Sequence, residues 1–146
     1  MRKSAVSLIA VVFISAIVQV HAHCQVPCGI FDDLARIHMM EEHVVTIEKA
    51  MKQIAANDSQ HQTVRWIMNK EKHAEELTDI VTYYFMAQRI KPDAEHYTEK
   101  LQTLHKIMIH AMKAKQSTDL AHVEKLNELI HEFEHLYLGD HEGHKH

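Results

Sequence analysis

The sequence predicts an all-α protein, an antiparallel four-helix bundle, and three observations carry that prediction. The chain has only 3 Gly and 2 Pro among its 146 residues, and it is rich in Met, Leu, Ile, Ala, Glu, Lys and Gln, which mostly favour helices. Its apolar residues recur at steps of three and four, the period of an amphipathic helix. Short polar segments that can cap or break a helix separate four such runs. Helices of about 18–28 residues with short connections are typical of an antiparallel bundle.

The first two runs form the first half of the predicted bundle. Asp32 or Asp33 can cap the first helix. The segment Asn57-Asp58-Ser59 ends that helix and can cap the second, which stops before Pro92. The expected core positions are Ile37, Met40, Val44, Ile47, Met51 and Ile54 in the first helix, and Val64, Ile67, Met68, Ala74, Leu77, Val81 and Tyr84 in the second.

The last two runs complete the bundle, which is predicted to span residues 32–138. Asp93 is expected to open the third helix, and Ser117-Thr118-Asp119 to cap the fourth. The His-rich segment 139–146 is predicted to be a disordered tail. The expected core positions are Tyr97, Leu101, Leu104, Met108 and Ala111 in the third helix, and Leu120, Val123, Leu126 or Asn127, Ile130, Phe133 and Tyr137 in the fourth.

Residues 1–22 have the pattern of a cleavable secretory signal peptide. Arg2 and Lys3 precede an apolar run over residues 5–18, and Val20-His21-Ala22 gives signal peptidase the small or aliphatic residues that it reads. A transmembrane anchor is the alternative, but the run is short for a span of about 20 residues. We therefore expect an exported protein, periplasmic or extracellular, with no stable membrane anchor after processing.

The charge of the chain excludes one class of partner. The formal net charge is −4, and removal of Arg2 and Lys3 with the leader makes it more negative. The basic residues are scattered rather than clustered, so a nucleic-acid partner is not expected.

Cleavage after Ala22 would expose the most distinctive segment of the chain, residues 23–32. His23 would become the N-terminal residue, with Cys24 and Cys28 close behind it. A disulfide between the two cysteines is the ordinary interpretation in an exported protein. A disulfide that closes such a short loop removes little entropy from the unfolded chain, however, and therefore stabilises the fold only slightly. Pro27-Cys28-Gly29 also favours a turn that folds Cys28 back towards Cys24.

Such a hook offers a compact donor set to a metal ion. The His23 amine, the Cys24 backbone nitrogen and the thiolates of Cys24 and Cys28 can form a planar N₂S₂ set, and the His23 imidazole can reach an axial position. A tetragonal set of this kind suits Ni(II) or Cu(II). Zinc prefers a tetrahedral set. Amide and thiolate donors release electron density strongly, which favours a redox centre.

The segment His23-Cys24-Gln25-Val26-Pro27-Cys28-Gly29-Ile30-Phe31-Asp32 closely resembles the nickel hook of nickel superoxide dismutases, His-Cys-x-x-Pro-Cys-Gly-x-Tyr/Phe-Asp. The resemblance extends over most of residues 23–137. Further landmarks follow in the family's order: Ala35-Arg36-Ile37, Ala55-Ala56-Asn57-Asp58, Lys70-Glu71, Tyr84-Phe85 and Lys91-Pro92.

The resemblance implies a nickel-dependent enzyme that converts superoxide to oxygen and hydrogen peroxide by alternating Ni(III) and Ni(II). It implies one nickel ion per subunit, bound by His23, Cys24 and Cys28 in the hook of residues 23–31. Pro27 and Gly29 would shape that hook. It also implies a homohexamer.

The residues expected around the ligands depart from the family pattern. Phe31 stands where many members have Tyr, so it keeps the ring that narrows access but lacks the hydroxyl. Asp32 closes the motif. His38 and His73 stand near positions where the family often has Glu and Arg, which orient the axial imidazole. Because metal-bound imidazoles usually need such a partner, we expect His38 or His73 to hydrogen-bond the His23 ring.

Two rival functions remain to be weighed. Glu128-x-x-His131 and Glu132-x-x-His135 resemble half of a di-iron motif, but that site needs the motif on two helices, so solvated helix residues are the better interpretation. The 15 histidines of the chain also suit an exported metal carrier without enzymatic activity. A carrier has no need of two oxidation-sensitive thiolates beside an α-amine.

Overall fold

The computed structural model describes residues 31–56 and 59–139, and each regular element within these ranges is a helix. The all-α prediction is confirmed. The predicted leader, the segment 23–30 and the tail from residue 140 lie outside the described residues. The four helices are α1 (Asp33–Ala56), α2 (Gln60–Asp79, continued by a π-helix over Ile80–Arg89), α3 (Tyr97–Gln116) and α4 (Ala121–Leu138).

The helices pack as a closed ring in which neighbours along the chain are neighbours in space. Helix α1 packs against α2 and α4, and α3 packs against the same two helices. Asp33, at the start of α1, contacts Arg89 at the end of α2 and Tyr137 at the end of α4. Consecutive helices therefore run in opposite directions, as expected for a bundle with short connections.

The core confirms most of the predicted apolar positions. The exceptions are Leu120, which is 36% exposed just before α4, and the start of α2, where Val64, Ile67 and Met68 are 50%, 41% and 66% exposed. Their spacing shows only that they share a face of the helix, and that face points outward. The largest fully buried side chains are Phe85, Phe133, Ile37, Met40, Ile47, Met51, Leu77, Leu104, Ile107, Leu126, Leu129 and Ile130.

The helix starts follow the predicted caps at α1 and α2, in part at α4, and not at α3. At α4 the Asp119 carboxylate accepts from the Ala121 amide at 3.0 Å, but Leu120, the residue directly before the helix, makes no side-chain cap bond. The Asp32 carboxylate accepts from the Ala35 amide at 3.0 Å, and the Ser59 hydroxyl accepts from the Gln62 amide at 3.3 Å. Asp93 does not open α3, which begins at Tyr97. The residue before it, His96, has a φ of 53°, a left-handed conformation that cannot continue a helix.

The π-helix over Ile80–Arg89 was not foreseen. The hydroxyls of Thr78 and Thr82 donate to the carbonyl oxygens four residues earlier. Such bonds compete with the helical ladder and often bend it. The Ile90 amide then bonds to the Phe85 carbonyl, five residues back. Wider turns of this kind occur frequently at functional sites, and this one ends beside the start of α1.

No helix of the described part of the chain is both long and apolar enough to cross a membrane.

Candidate metal centre

The described chain begins at Phe31, the last residue of the predicted hook. His23, Cys24, Pro27, Cys28 and Gly29 lie outside the described residues, so their roles as ligands and hook-shaping residues stay predictions. The structure describes the surface of the bundle around Phe31, where the chain continues from the predicted hook into α1. Its residues come from the start of α1 and the ends of α2 and α4.

Phe31 lies against the end of α2. Its ring centroid is 4.3 Å from Cζ of Arg89, and the Phe31 and Tyr84 rings meet edge to face with centroids 5.9 Å apart. A guanidinium over an aromatic face is held by the ring quadrupole. Phe31 is still 38% exposed, so part of the ring remains accessible to solvent.

Asp33 joins the three helix ends that meet near Phe31. One carboxylate oxygen accepts from Arg89 Nε at 2.9 Å and from the Tyr84 hydroxyl at 2.5 Å. The other accepts from Arg89 Nη2 at 2.6 Å and from the Tyr137 hydroxyl at 2.9 Å. The pair with Arg89 is bidentate, the strong form of a charge-assisted hydrogen bond.

The electrostatics of this cluster favour a charged carboxylate. Burial raises the pKa of Asp33, but the hydrogen bonds from Arg89, Tyr84 and Tyr137 outweigh burial and hold that pKa below its ordinary value. Burial and the bond to Asp33 raise the pKa of Tyr137 to about 12 and that of Tyr84 further. Both phenols are therefore neutral hydrogen-bond donors at neutral pH.

Sequence reasoning missed the cluster around Asp33. Asp33 was considered only as a possible cap, whereas Asp32 fills that role and Asp33 points to the other helices. Arg89 is 56 residues from Asp33. The tandem Asp32-Asp33 was the available signal, because a helix start needs one capping carboxylate and leaves the second free.

His38 and His73 are not brought together at the root of the hook. His38 is exposed on α1, beside Glu41 and Glu42. His73 is partly buried, and its Nδ1 lies 2.8 Å from Nδ1 of His43. His43 stands ten residues after Asp33, about 15 Å along α1. No hydrogen bond among the described residues joins His38 to His73, and a bond from either to His23 stays a prediction.

The residues of the half di-iron motif make surface contacts. Glu132 accepts from the Thr103 hydroxyl at 3.0 Å. His131 lies 3.9 Å from Glu41 and 3.6 Å from Glu134, and its side chain is 63% exposed. These contacts match solvated helix residues better than a buried carboxylate cage.

Comparison with known proteins identifies one family. The chain matches the family model described as nickel-containing superoxide dismutase over residues 18–141. The superoxide dismutase [Ni] of Streptomyces seoulensis is 32% identical over 124 residues, covering 82% of this chain and 88% of the relative. The superoxide dismutase [Ni] of Streptomyces coelicolor is 29% identical over 120 residues, covering 82% and 88%. No solved structure gives a significant match.

Proposed function

The chain belongs to the nickel-containing superoxide dismutase family, and on that premise we propose that His23, Cys24 and Cys28 bind its nickel once a leader ending at Ala22 is removed. The protein is a nickel-dependent superoxide dismutase, an enzyme that converts superoxide to oxygen and hydrogen peroxide. The family assignment does not favour the alternative of a His-rich carrier without activity.

The donor set fits nickel chemically. A free α-amine, a backbone nitrogen and two thiolates supply the nitrogen and sulfur ligands of a tetragonal site. Nickel held by these donors would supply the one-electron exchange with superoxide. The residues of the chain would keep both thiols deprotonated, hold the His23 imidazole and limit access of other molecules to the site.

The root of the hook supports this assignment. Phe31 is held by Arg89 and Tyr84, and Asp33 fixes Arg89 in turn. The last residue of the predicted hook, Phe31, therefore has a fixed place on the bundle. The Arg36 guanidinium lies 5.3 Å from the Tyr84 ring centroid, so a second cation packs on this group of rings, whereas the charge of Arg89 is balanced by Asp33.

The free amine at His23 is the sharpest test. We expect nickel-loaded protein that begins at His23 to dismute superoxide, and protein with one alanine added before His23 to lose nearly all activity, because the amine becomes an amide. The matched control carries the extra alanine after His146. Equal activity of the two extended proteins would contradict the ligand assignment.

Export of the protein is the second part of the proposal. The basic, apolar and small-residue pattern of residues 1–22 supports removal by signal peptidase and a periplasmic or extracellular location. Intact mass of the exported protein should correspond to a chain that starts at His23. A mass that retains residues 1–22 would contradict both the leader and the free amine.

The predicted imidazole partner has its own test. His38→Ala or His73→Ala should alter the Ni(III) electron paramagnetic resonance spectrum if that histidine hydrogen-bonds the His23 ring. Unchanged spectra and rates for both variants would remove the idea.

Self-association, as a homohexamer by family resemblance, is the last part. Val64, Ile67 and Met68 form an exposed apolar stripe on α2, and apolar patches of this kind commonly mark protein interfaces. Ile67→Lys should shift the mass measured by light scattering from hexamer to smaller species. Gln102→Lys, on the exposed surface of α3, is the control. A wild-type monomer would contradict the proposal.

A further inference from the structure

A second group of metal-binding side chains lies on the bundle, away from the root of the hook. His43 on α1 faces His73 and Glu76 on α2, and we refer to these three residues as the His43 cluster. The Nδ1 atoms of His43 and His73 are 2.8 Å apart, and they lie 3.8 Å and 3.7 Å from one carboxylate oxygen of Glu76. One ligand atom from each residue lies within 4.8 Å of the other two.

These distances are close to those of an occupied zinc site. Two imidazole nitrogens at about 2.0–2.1 Å from a tetrahedral zinc ion are separated by about 3.4 Å. The His43 and His73 nitrogens would move apart by roughly half an ångström, and the Glu76 oxygen would move inward by a similar amount. Glu76 can make that movement because its side chain is 40% exposed.

The imidazoles are suited to a metal ion because their facing nitrogens share a single proton. A hydrogen bond between two Nδ1 atoms needs one N–H and one lone pair. Burial and then the neighbouring His73 lower the pKa of His43, which keeps its ring neutral at neutral pH. A divalent ion can take the place of the shared proton when the ring that carries this proton changes to its Nε2–H tautomer. Both Nδ1 lone pairs then become ligands, and the Glu76 carboxylate is the third.

The charges around the His43 cluster are compatible with a bound cation. Glu42 adds a second negative charge near His43. Lys72 lies 3.5 Å from Glu76, but its side chain is 69% exposed and can swing into solvent. The side chains of His43 and His73 are 13% and 25% exposed, so the donors are partly desolvated and held by packing.

We propose that His43, His73 and Glu76 bind a divalent transition-metal ion of the zinc type, distinct from the nickel of the hook. The two imidazoles and one carboxylate exclude the hard cations Mg²⁺ and Ca²⁺ as preferred occupants. Three protein ligands leave a fourth position to water. Binding shifts the ring that carried the shared proton to its Nε2–H tautomer, with no net loss of a proton from the two neutral rings, and clamps α1 to α2.

Another cluster of the chain offers a matched control. Glu41, His131 and Glu134 also bring three potential ligand atoms together. That group has one imidazole instead of two, and the His131 side chain is 63% exposed. A variant at His131 therefore removes a histidine from a metal-like cluster without touching the proposed site.

Cobalt(II) titration of the full processed chain tests the proposal, because cobalt replaces zinc and reports its ligands by colour. Cobalt bound to the hook thiolates gives sulfur-to-metal charge-transfer bands, whereas a site of imidazoles and a carboxylate gives only d–d bands. We expect His43→Gln and Glu76→Gln to lose one equivalent of tight thiolate-free cobalt, and His131→Gln to keep it. Equal cobalt binding by wild type and His43→Gln would overturn the proposal.

A second measurement reads the ligand atoms directly. In ¹⁵N spectra of the histidine rings, one equivalent of Zn²⁺ should shift the Nδ1 resonances of His43 and His73 before those of the other bundle histidines. Shifts confined to other residues would overturn the site. Both readouts are independent of superoxide dismutation, so a failure here and a failure of the hook assignment are distinguishable.

Discussion

Each end of the bundle is held together by one charged side chain, and the two charges are opposite in sign. At the hook end, the Asp33 carboxylate accepts four hydrogen bonds from Arg89, Tyr84 and Tyr137. At the far end, the buried Lys70 ammonium donates to the carbonyl oxygens of residues 114, 115 and 117, at 2.5–3.0 Å, where α3 ends. At the Asp33 end, side chains supply both the donors and the acceptors. At the Lys70 end, one side chain donates to backbone carbonyls at the terminus of a helix.

This difference separates stability from catalysis. The last carbonyls of a helix carry partial negative charge and need donors, so Lys70 completes α3 at the end of the bundle opposite Asp33. Asp33 instead holds the side chains on which Phe31 rests. Damage at the Lys70 end should lower the free energy of unfolding alone, whereas damage at the Asp33 end should also displace the nickel hook.

Removal of Lys70 should have the largest effect on stability. Lys70→Met leaves three carbonyl oxygens without their charged donor, and we expect a loss of about 3 kcal/mol in the free energy of unfolding. Urea denaturation measures it. Activity per folded, nickel-loaded subunit should be unchanged.

Lys52 provides the control for that change. It makes an i,i+4 pair with Glu48 on the surface of α1 and is 57% exposed, so Lys52→Met should cost less than about 1 kcal/mol. Similar losses for the two lysine variants would show that the α3 end does not depend on Lys70.

Asp33→Asn should be the second largest change and the first to affect catalysis. It leaves the partly buried Arg89 without its counter-charge, and we expect a loss of about 2 kcal/mol. Arg89 and Phe31 would then shift, and displacement of a catalytic group by about 1 Å can lower a rate by up to about 100-fold. Pulse radiolysis on nickel-loaded protein measures the rate. If Asp33→Asn lowers stability but leaves activity unchanged, the Asp33 end contributes to stability alone, as the Lys70 end does.

The helices and their caps could be predicted from the sequence, because both depend on residues a few positions apart. Asp32 and Ser59 cap as expected, and Ile37 through Met51 are buried at their predicted spacing. Contacts between distant residues could not be predicted. Asp33 meets Arg89 and His43 meets His73 only after α1 and α2 have packed. The π-helix adds a further shift, since it changes which side chains of residues 80–89 face inward.

The candidate site divides in the same way. The hook ligands could be named from a local motif, whereas their partners on the bundle depend on helix register. His73 illustrates the limit: its contact with His43 depends on how α1 packs against α2, and no local motif points to it. The outward face of Val64, Ile67 and Met68 has the same origin, because periodicity shows which residues share a face but not which way that face points.

Acid should loosen the hook end before the Lys70 end. The pKa of Asp33 is held below the ordinary 3.8 in the folded protein, so the unfolded chain takes up a proton first as the pH falls. The stability that this carboxylate contributes is complete above its unfolded pKa and is lost as the pH falls through its lower folded pKa. Lys70 stays protonated throughout that range. Unfolding measured between about pH 5 and 2 should show a steeper loss for wild type than for Asp33→Asn. Parallel curves would mean that Asp33 is not the group that titrates.

Phe31→Ala should give the smallest change in stability and the finest test of the comparison. The variant removes the ring beneath Arg89 and its edge contact with Tyr84, together worth about 1 kcal/mol at a partly exposed site. Asp33 keeps all its hydrogen bonds, so the helix ends should stay joined. The chain next to the hook, however, loses the ring contacts that position it. We therefore expect near-normal urea midpoints but a reduced superoxide rate. Val45→Ala, at a position 61% exposed on α1, should change neither quantity. If Phe31→Ala matches that control in rate, the hook is positioned by its own nickel and thiolates, and the Asp33 end is as purely structural as the Lys70 end.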